Sequence, residues 1–274
     1  MTRQHLAFDC DGDALVGTID RAEGTSGLLI VTGGNEPRCG AFGGQSAMAA
    51  RVAQAGFPVF RFDRRGVGDS EGENRGFRKS APDIAAALAA FRRECPALTR
   101  VVGYGNCDAA TTLMLRSGAG CDALVLSNPW TFDEEDEDTM PAAQIRSRYA
   151  RKLADPREWK RLLTGSVSLS KLAAGLRQAV VREHVATSLA DEMRTAMTKF
   201  DGEVRYLVAG RDRTGLAFAS HWPNEPRIVR NARADHAFSD PDAGPTPLDL
   251  VLSVLREETG EFDMGGPAKL SDGP

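Results

Sequence analysis

The sequence has no apolar stretch long enough to cross a bilayer. Its longest runs, Gly27 to Thr32 and Ile84 to Phe91, fall far short of the ~20 residues a spanning helix needs. No membrane insertion is expected. The N-terminus, Met-Thr-Arg-Gln-His-Leu-Ala-Phe-Asp-Cys, lacks the long apolar stretch of a signal peptide, so the expected location is cytoplasmic. Cysteine is sparse: Cys10, Cys39, Cys95, Cys107 and Cys121 are an odd number at scattered spacings with no C-x-x-C pair. That argues against a disulfide framework and a zinc site, and for reduced thiols. Basic charge is not in excess either, with 34 Lys+Arg against 38 Asp+Glu and a net charge of -4. A nucleic-acid partner is therefore not expected. There is no internal repeat and no low-complexity linker, and 42% hydrophobic with 26% charged residues excludes a disordered chain. What is left in 274 residues is one large α/β domain or two small ones.

Short apolar runs alternate with longer helical patterns. Leu28 to Thr32 and Phe57 to Asp63 are β-rich and end in Gly33-Gly34 and Arg64-Arg65-Gly66. Arg100 to Tyr104, Ala123 to Ser127, Val204 to Ala209 and Pro226 to Asn231 repeat the form. Between them, Gln45 to Ala55, Ala81 to Arg93 and Ala109 to Arg116 suit helices. The alternation implies a mostly parallel sheet with helices on both faces, an α/β fold. His5 to Cys10 and Ala14 to Asp20, joined through Asp11-Gly12-Asp13, read as an antiparallel hairpin leading into it. From Thr131 to about Phe200 the pattern is helical without a convincing strand, which is too long for a simple loop. The expected division is a core of 1–130 and 200–260, a helical cap over 131–199, and a frayed tail over 261–274.

Gly103-Tyr-Gly-Asn-Cys-Asp-Ala-Ala110 follows a strand and opens a helix, the setting of a nucleophile elbow. Small residues two before and two after the nucleophile let strand and helix approach closely around a strained turn. The consensus is G-x-S-x-G, and here Cys107 stands for serine and Ala109 for the last glycine. The bland alternative is a small buried hydrophobe, as most free cysteines are. Chain order favours the nucleophile, because Asp212 follows one later strand and His236 the last, giving nucleophile, acid, histidine. Each falls where the carboxyl end of a parallel strand delivers it to the edge carrying Cys107. His236 would take the thiol proton, Asp212 would hold the imidazole tautomer, and the sulfur would attack a carbonyl carbon.

Rivals exist for each role. Asp235 adjoins His236 but neighbouring residues rarely face each other correctly, so Asp212 leads. His5 lies in the hairpin, His184 in the expected cap and His221 before the final strand. Cys39 is the strongest rival thiol, without a strand-turn-helix pattern around it; Cys10, Cys95 and Cys121 read as packing residues. For the oxyanion hole, the turn Gly33-Gly-Asn-Glu-Pro37 offers the amide of Asn35 or of Gly34, together with that of Asp108. The acidic run Asp133 to Asp138 reads as a solvated loop.

The stretch Phe62-Asp-Arg-Arg-Gly-Val-Gly-Asp-Ser-Glu-Gly72 resembles the D-x-R-G-x-G-x-S turn after the fourth strand of many α/β-hydrolases, where it is structural. With Thr32-Gly-Gly, Gly105-Asn-Cys-Asp-Ala109, Asn128-Pro-Trp130, Trp159, Leu162-Leu163 and Asp235-His-Ala-Phe-Ser239, most of the chain resembles the α/β-hydrolase superfamily. Within it, the likeness is to the type 1 hydrolases associated with the exosortase A system. That resemblance implies the α/β-hydrolase fold and a cysteine-nucleophile hydrolase encoded with bacterial exopolysaccharide and protein-sorting loci. Arg64, where an aromatic is common, and Ala109-Ala110 depart from the pattern.

The expected chemistry is cleavage of an ester, thioester or related acyl bond in a small-molecule substrate through a Cys107 acyl-enzyme, with no cofactor and no metal. Trp130, Trp159 and Leu162 of the expected cap would shape the pocket. An acyltransferase in which a hydroxyl acceptor replaces water would share every one of these residues. A noncatalytic binding protein with the same fold would leave Cys107 no more reactive than Cys39.

Overall fold

The computed structural model describes residues 2–132, 188–240, 242 and 244–257. Eight strands form one sheet in the order β1-β2-β4-β3-β5-β6-β7-β8. β1 (Thr2–Cys10) and β2 (Asp13–Arg21) make the expected antiparallel hairpin, and β2 also runs antiparallel to β4 (Val59–Phe62). Its two-residue turn has positive φ at both Asp11 and Gly12, the conformation that matches the twist of the flanking strands. From β4 onward, β3 (Ser26–Val31), β5 (Arg100–Asn106), β6 (Ala123–Ser127), β7 (Glu203–Ala209) and β8 (Ile228–Asn231) are all parallel.

The parallel strands are buried on both faces, which is why they read as continuous apolar runs rather than as alternation. In β3, Leu29 and Val31 join a core with Phe60, Phe62, Ile84 and Phe91, whereas Leu28 and Ile30 join one with Val52, Val102, Val125 and Val251. The first face is covered by α2 (Ala81–Glu94), α3 (Asp108–Leu115), α4 (Ser188–Met197) and α5 (Arg213–His221), the second by α1 (Gly44–Gln54) and α6 (Pro247–Glu257). α2 has Pro82 and Asp83 in its first turn and Arg92 and Arg93 in its last, and these charged side chains complement the helix dipole.

Most of the range read as a cap, with the acidic run, Trp159, Leu162 and His184, lies outside the described residues, as does the tail 261–274. Its last part is described: Leu189, Ala190 and Met193 of α4 are buried, and Leu189 and Met193 belong to the core of the sheet's first face. Among the described residues, no helix is long and apolar enough to cross a membrane, and no group of three or more His, Cys, Asp or Glu could hold a metal ion.

Candidate active site

The direction of sheet growth reverses between β3 and β5: β4 is added on one side of β3 and β5 on the other. The loops leaving such a pair diverge, opening a crevice at the carboxyl ends of the strands. The loop after β3 and the turn after β5 face each other there. An added Cβ at Gly33 would stand 2.6 Å from Asp108 Oδ1 and 2.8 Å from the Asn106 carbonyl oxygen, so only glycine fits.

At the end of β5 the Cys107 amide still donates to the Ser127 carbonyl at 3.0 Å, continuing the ladder. The chain then turns at Cys107 itself, with φ 60° and ψ -128°, and α3 begins at Asp108. A side-chain-bearing residue in this conformation costs about 1–3 kcal/mol and persists where the surroundings impose it. Here they do so through close packing: a Cβ on Gly105 would lie 2.7 Å from the Ala110 nitrogen and 2.8 Å from the Ala109 carbonyl carbon. The small residues on either side of Cys107 thus have the physical role expected of an elbow, and the thiol is left partly exposed.

Asp212 ends the turn after β7 and caps α5, its Oδ2 accepting from the Gly215 amide at 2.8 Å. The same oxygen lies 3.0 Å from His236 Nδ1. His236 sits in the loop after β8, where Asn106 Nδ2 and Asn128 Nδ2 each donate to its backbone carbonyl at 3.3 Å. The Cys107 side chain acts on the same ring from beside it. The bond to Asp212 foremost, then the nearby Cys107, pushes the imidazole up from its ordinary 6.5 to about 10, against the opposing effect of burial. The structure therefore brings Cys107, His236 and Asp212 together, with the ring bonded to the Asp212 carboxylate.

The rivals are elsewhere. Asp235 turns back on its own loop, accepting from the Ser239 amide at 3.0 Å and from the Ser239 hydroxyl, and these bonds hold its carboxyl below the usual range. His5 Nδ1 pairs with Thr18 Oγ1 at 2.8 Å in the hairpin, and His221 ends α5 beside Trp222. Cys10 and Cys121 are buried, and burial pushes the Cys121 thiol up to about 12. Cys39 is exposed.

The oxyanion candidates separate. The Gly34 amide donates to Asp108 Oδ1 at 2.7 Å, so it is already satisfied and is not a free donor. Asp108 is the first residue of α3, and its own amide has no intrahelical acceptor. The Asn35 side chain accepts from Asn74 Nδ2 at 2.7 Å, and its amide takes no part in the hydrogen bonds of the turn.

Three site residues escaped sequence reasoning. Asn106 and Asn128 hold the histidine loop, and Asn128 Oδ1 also accepts from the Ala209 amide at 2.9 Å, tying β6 to β7. Arg64 is the third. The turn around it is structural as expected, with buried Asp63 accepting from the Arg38 and Asp69 amides at 2.5 and 3.1 Å. Arg64 itself is buried, bonds the Gly34 carbonyl and lies 3.8 Å from Asp108 Oδ2. The one signal was the arginine at a position where the resembled pattern carries an aromatic. Trp130, expected over the pocket, donates its amide to the Cys107 carbonyl at 3.3 Å and stacks edge-on against Phe132.

A cavity of about 330 Å³ opens beside this array, lined by Asn106 and His236 and by the apolar Met48, Tyr104, Phe238 and Leu248. A predominantly parallel sheet with a strained strand-to-helix turn and acid and histidine loops at one edge is an α/β-hydrolase. The family described as Serine aminopeptidase, S33 matches residues 26–199, and the chain belongs to it. The match includes the elbow, where this chain has Cys107, and ends before Asp212 and His236. No curated protein matches the chain. Among solved structures, the α/β hydrolase GrgF from Penicillium sp. sh18 is similar at 15% identity, with 95% of this chain and 100% of that one covered and a TM-score of 0.61. The Pyrococcus furiosus esterase Pf2001 is similar at 13% identity, 94% and 90% coverage and a TM-score of 0.58. Est1E from Butyrivibrio proteoclasticus, solved with ferulic acid bound, is similar at 16%, 93% and 98%, with a TM-score of 0.54. These likenesses concern the fold.

Proposed function

We propose that this hydrolase cleaves an ester or thioester bond through an acyl-enzyme on Cys107, with His236 as acid and base and Asp212 as its orienting partner. One observation carries the reading: a cysteine held at φ 60° between strand and helix stands beside a histidine whose Nδ1 meets a carboxylate at 3.0 Å. His236 takes the proton of Cys107 as the sulfur forms a bond to the carbonyl carbon and the carbonyl electrons move to oxygen. The amides of Asp108 and Asn35 donate to that oxyanion. On collapse the bond to the leaving alcohol or thiol breaks, and His236 returns its proton to that group. Water then gives a proton to His236 and attacks the thioester; the acid departs and His236 returns the proton to Cys107.

The apolar wall of the cavity beside His236, with Met48, Phe238 and Leu248, suits the acyl chain. The resemblance to exosortase A system-associated hydrolases connects the proposal with bacterial exopolysaccharide biosynthesis, and a cytoplasmic, small-molecule acyl substrate is part of the same reading. The test is intact-mass measurement after exposure to a panel of activated acyl esters and acyl thioesters. A mass increase of one acyl group, absent in Cys107→Ala, is expected; acylation unaffected by that substitution would refute the nucleophile.

A further inference from the structure

We propose that a basic pocket on the Arg64 side of the elbow binds the phosphate of a phosphorylated leaving group, the alcohol or thiol part of the substrate; this rests on the acyl-enzyme reading above. The pocket has a volume of about 320 Å³ and is lined by six Arg and Lys side chains against three Asp and Glu. That local excess of positive charge stands in a chain whose net charge is -4, and such a concavity concentrates anions.

The cations differ in what already holds them. Arg65 is committed to structure, bonded to Asp83 at 2.8 Å and paired with Asp11 and Asp13. Arg78 pairs with Glu192 at 2.7 Å across an exposed surface. Arg75 and Lys79 are exposed and have no ion pair among the described residues. Arg64 is the decisive one. It is 3% exposed, and its Nε is buried with no hydrogen-bond partner. A buried donor without an acceptor is costly, and a guanidinium presents parallel donors that match two oxygens of a phosphate. Arg64 lines the pocket, and its positive charge would draw a phosphate there.

Two wall residues of the pocket reach the turns that frame the elbow. Arg64 reaches the Gly34 carbonyl and lies 3.8 Å from the carboxylate of Asp108, the residue after Cys107. Asn74, another wall residue, bonds Asn35 in the opposite turn at 2.7 Å. His236 lines the apolar cavity, and Arg64 lines the basic one. Two spaces thus open near the site loops, one bordered by His236 for an acyl chain and one bordered by Arg64 for an anionic leaving group.

The test uses the full chain in two arms. In the first, inorganic pyrophosphate is titrated calorimetrically into wild type and the Arg75→Ala/Lys79→Ala variant, both changed sites being exposed and thermal unfolding checking the fold. Binding that weakens at least tenfold in the variant is expected; no binding, or equal binding, would overturn the site. In the second, kcat/KM is compared between butyryl-coenzyme A and butyryl-N-acetylcysteamine, and between an O-butyryl hexose phosphate and its dephosphorylated form. A preference of about tenfold or more for one phosphorylated member, reduced in the variant, is expected and separates a thioester carrier from a sugar phosphate. Ratios near one in both pairs would overturn the leaving-group role. Pyrophosphate binding without any acylation of Cys107 would instead refute the acyl-enzyme reading and leave the phosphate site standing.

Discussion

Replacing Asp212 by Asn and by Ala should give two different losses, because one oxygen of Asp212 serves two donors. Oδ2 accepts from the Gly215 amide at 2.8 Å and from His236 Nδ1 at 3.0 Å. In Asp212→Asn the amide oxygen takes that position and keeps both contacts, so the helix cap and the imidazole tautomer survive and only the negative charge is lost. A hydrogen bond to a charged group contributes about 1.5–3 kcal/mol and a neutral one about 0.5–1.5 kcal/mol. The difference, about 1–1.5 kcal/mol, corresponds to roughly a tenfold fall in kcat/KM. In Asp212→Ala the orientation of His236 goes too, and a fall of about 10²–10⁴ is expected, in the range of general-base catalysis. The lost cap should destabilise α5 by about 1 kcal/mol. The assay is p-nitrophenyl ester hydrolysis at neutral pH with thermal unfolding of both variants. If Asp212→Asn is as impaired as Asp212→Ala, the shared-oxygen geometry is refuted. If neither loses activity, Asp212 does not orient the histidine.

Three further outcomes follow from named contacts. His236 is raised to about 10 in the folded protein, so its interactions contribute stability that is fully present below about pH 6.5 and lost as pH rises through about 10; the difference in Tm between wild type and His236→Gln should shrink over that window, and a constant difference would contradict the pairing. Gly105→Val puts a Cβ within 2.8 Å of backbone atoms of Ala109 and Ala110 that cannot rotate away; denaturant unfolding should show a loss of at least about 1–3 kcal/mol, and wild-type stability would show that the elbow relaxes freely. Asp83→Ala strips buried Arg65 of a carboxylate that accepts from its backbone amide at 3.0 Å and its guanidinium at 2.8 Å; a cost of about 3–5 kcal/mol is expected in the same assay, and a loss under 1 kcal/mol would mean Asp11 and Asp13 suffice.

Much of the fold was legible because its signals are local. Buried parallel strands carry apolar residues on both faces, and Leu28 to Val31 and Ala123 to Leu126 are such runs. Asp11-Gly12 carries the positive φ that a two-residue hairpin needs. The elbow was legible for the same reason: Gly105 and Ala109 are small where strand and helix touch.

The amino-acid sequence by itself determined the strand and helix alternation, the thiol at the strained turn, and the order of cysteine, acid and histidine along the chain. These depend on residue size, backbone preference and spacing, which neighbours in sequence express directly. Tertiary structure decided which partners meet. It turned Asp235 onto Ser239 and gave His236 to Asp212, tied the Gly34 amide to Asp108, and buried Arg64 beside the elbow. Each outcome depends on where a side chain points after the chain has crossed the sheet, over separations such as the 74 residues between Gly34 and Asp108. Hydrogen bonds act over about 3 Å, so packing of the loops at the sheet edge, and not their composition, selects the pairs.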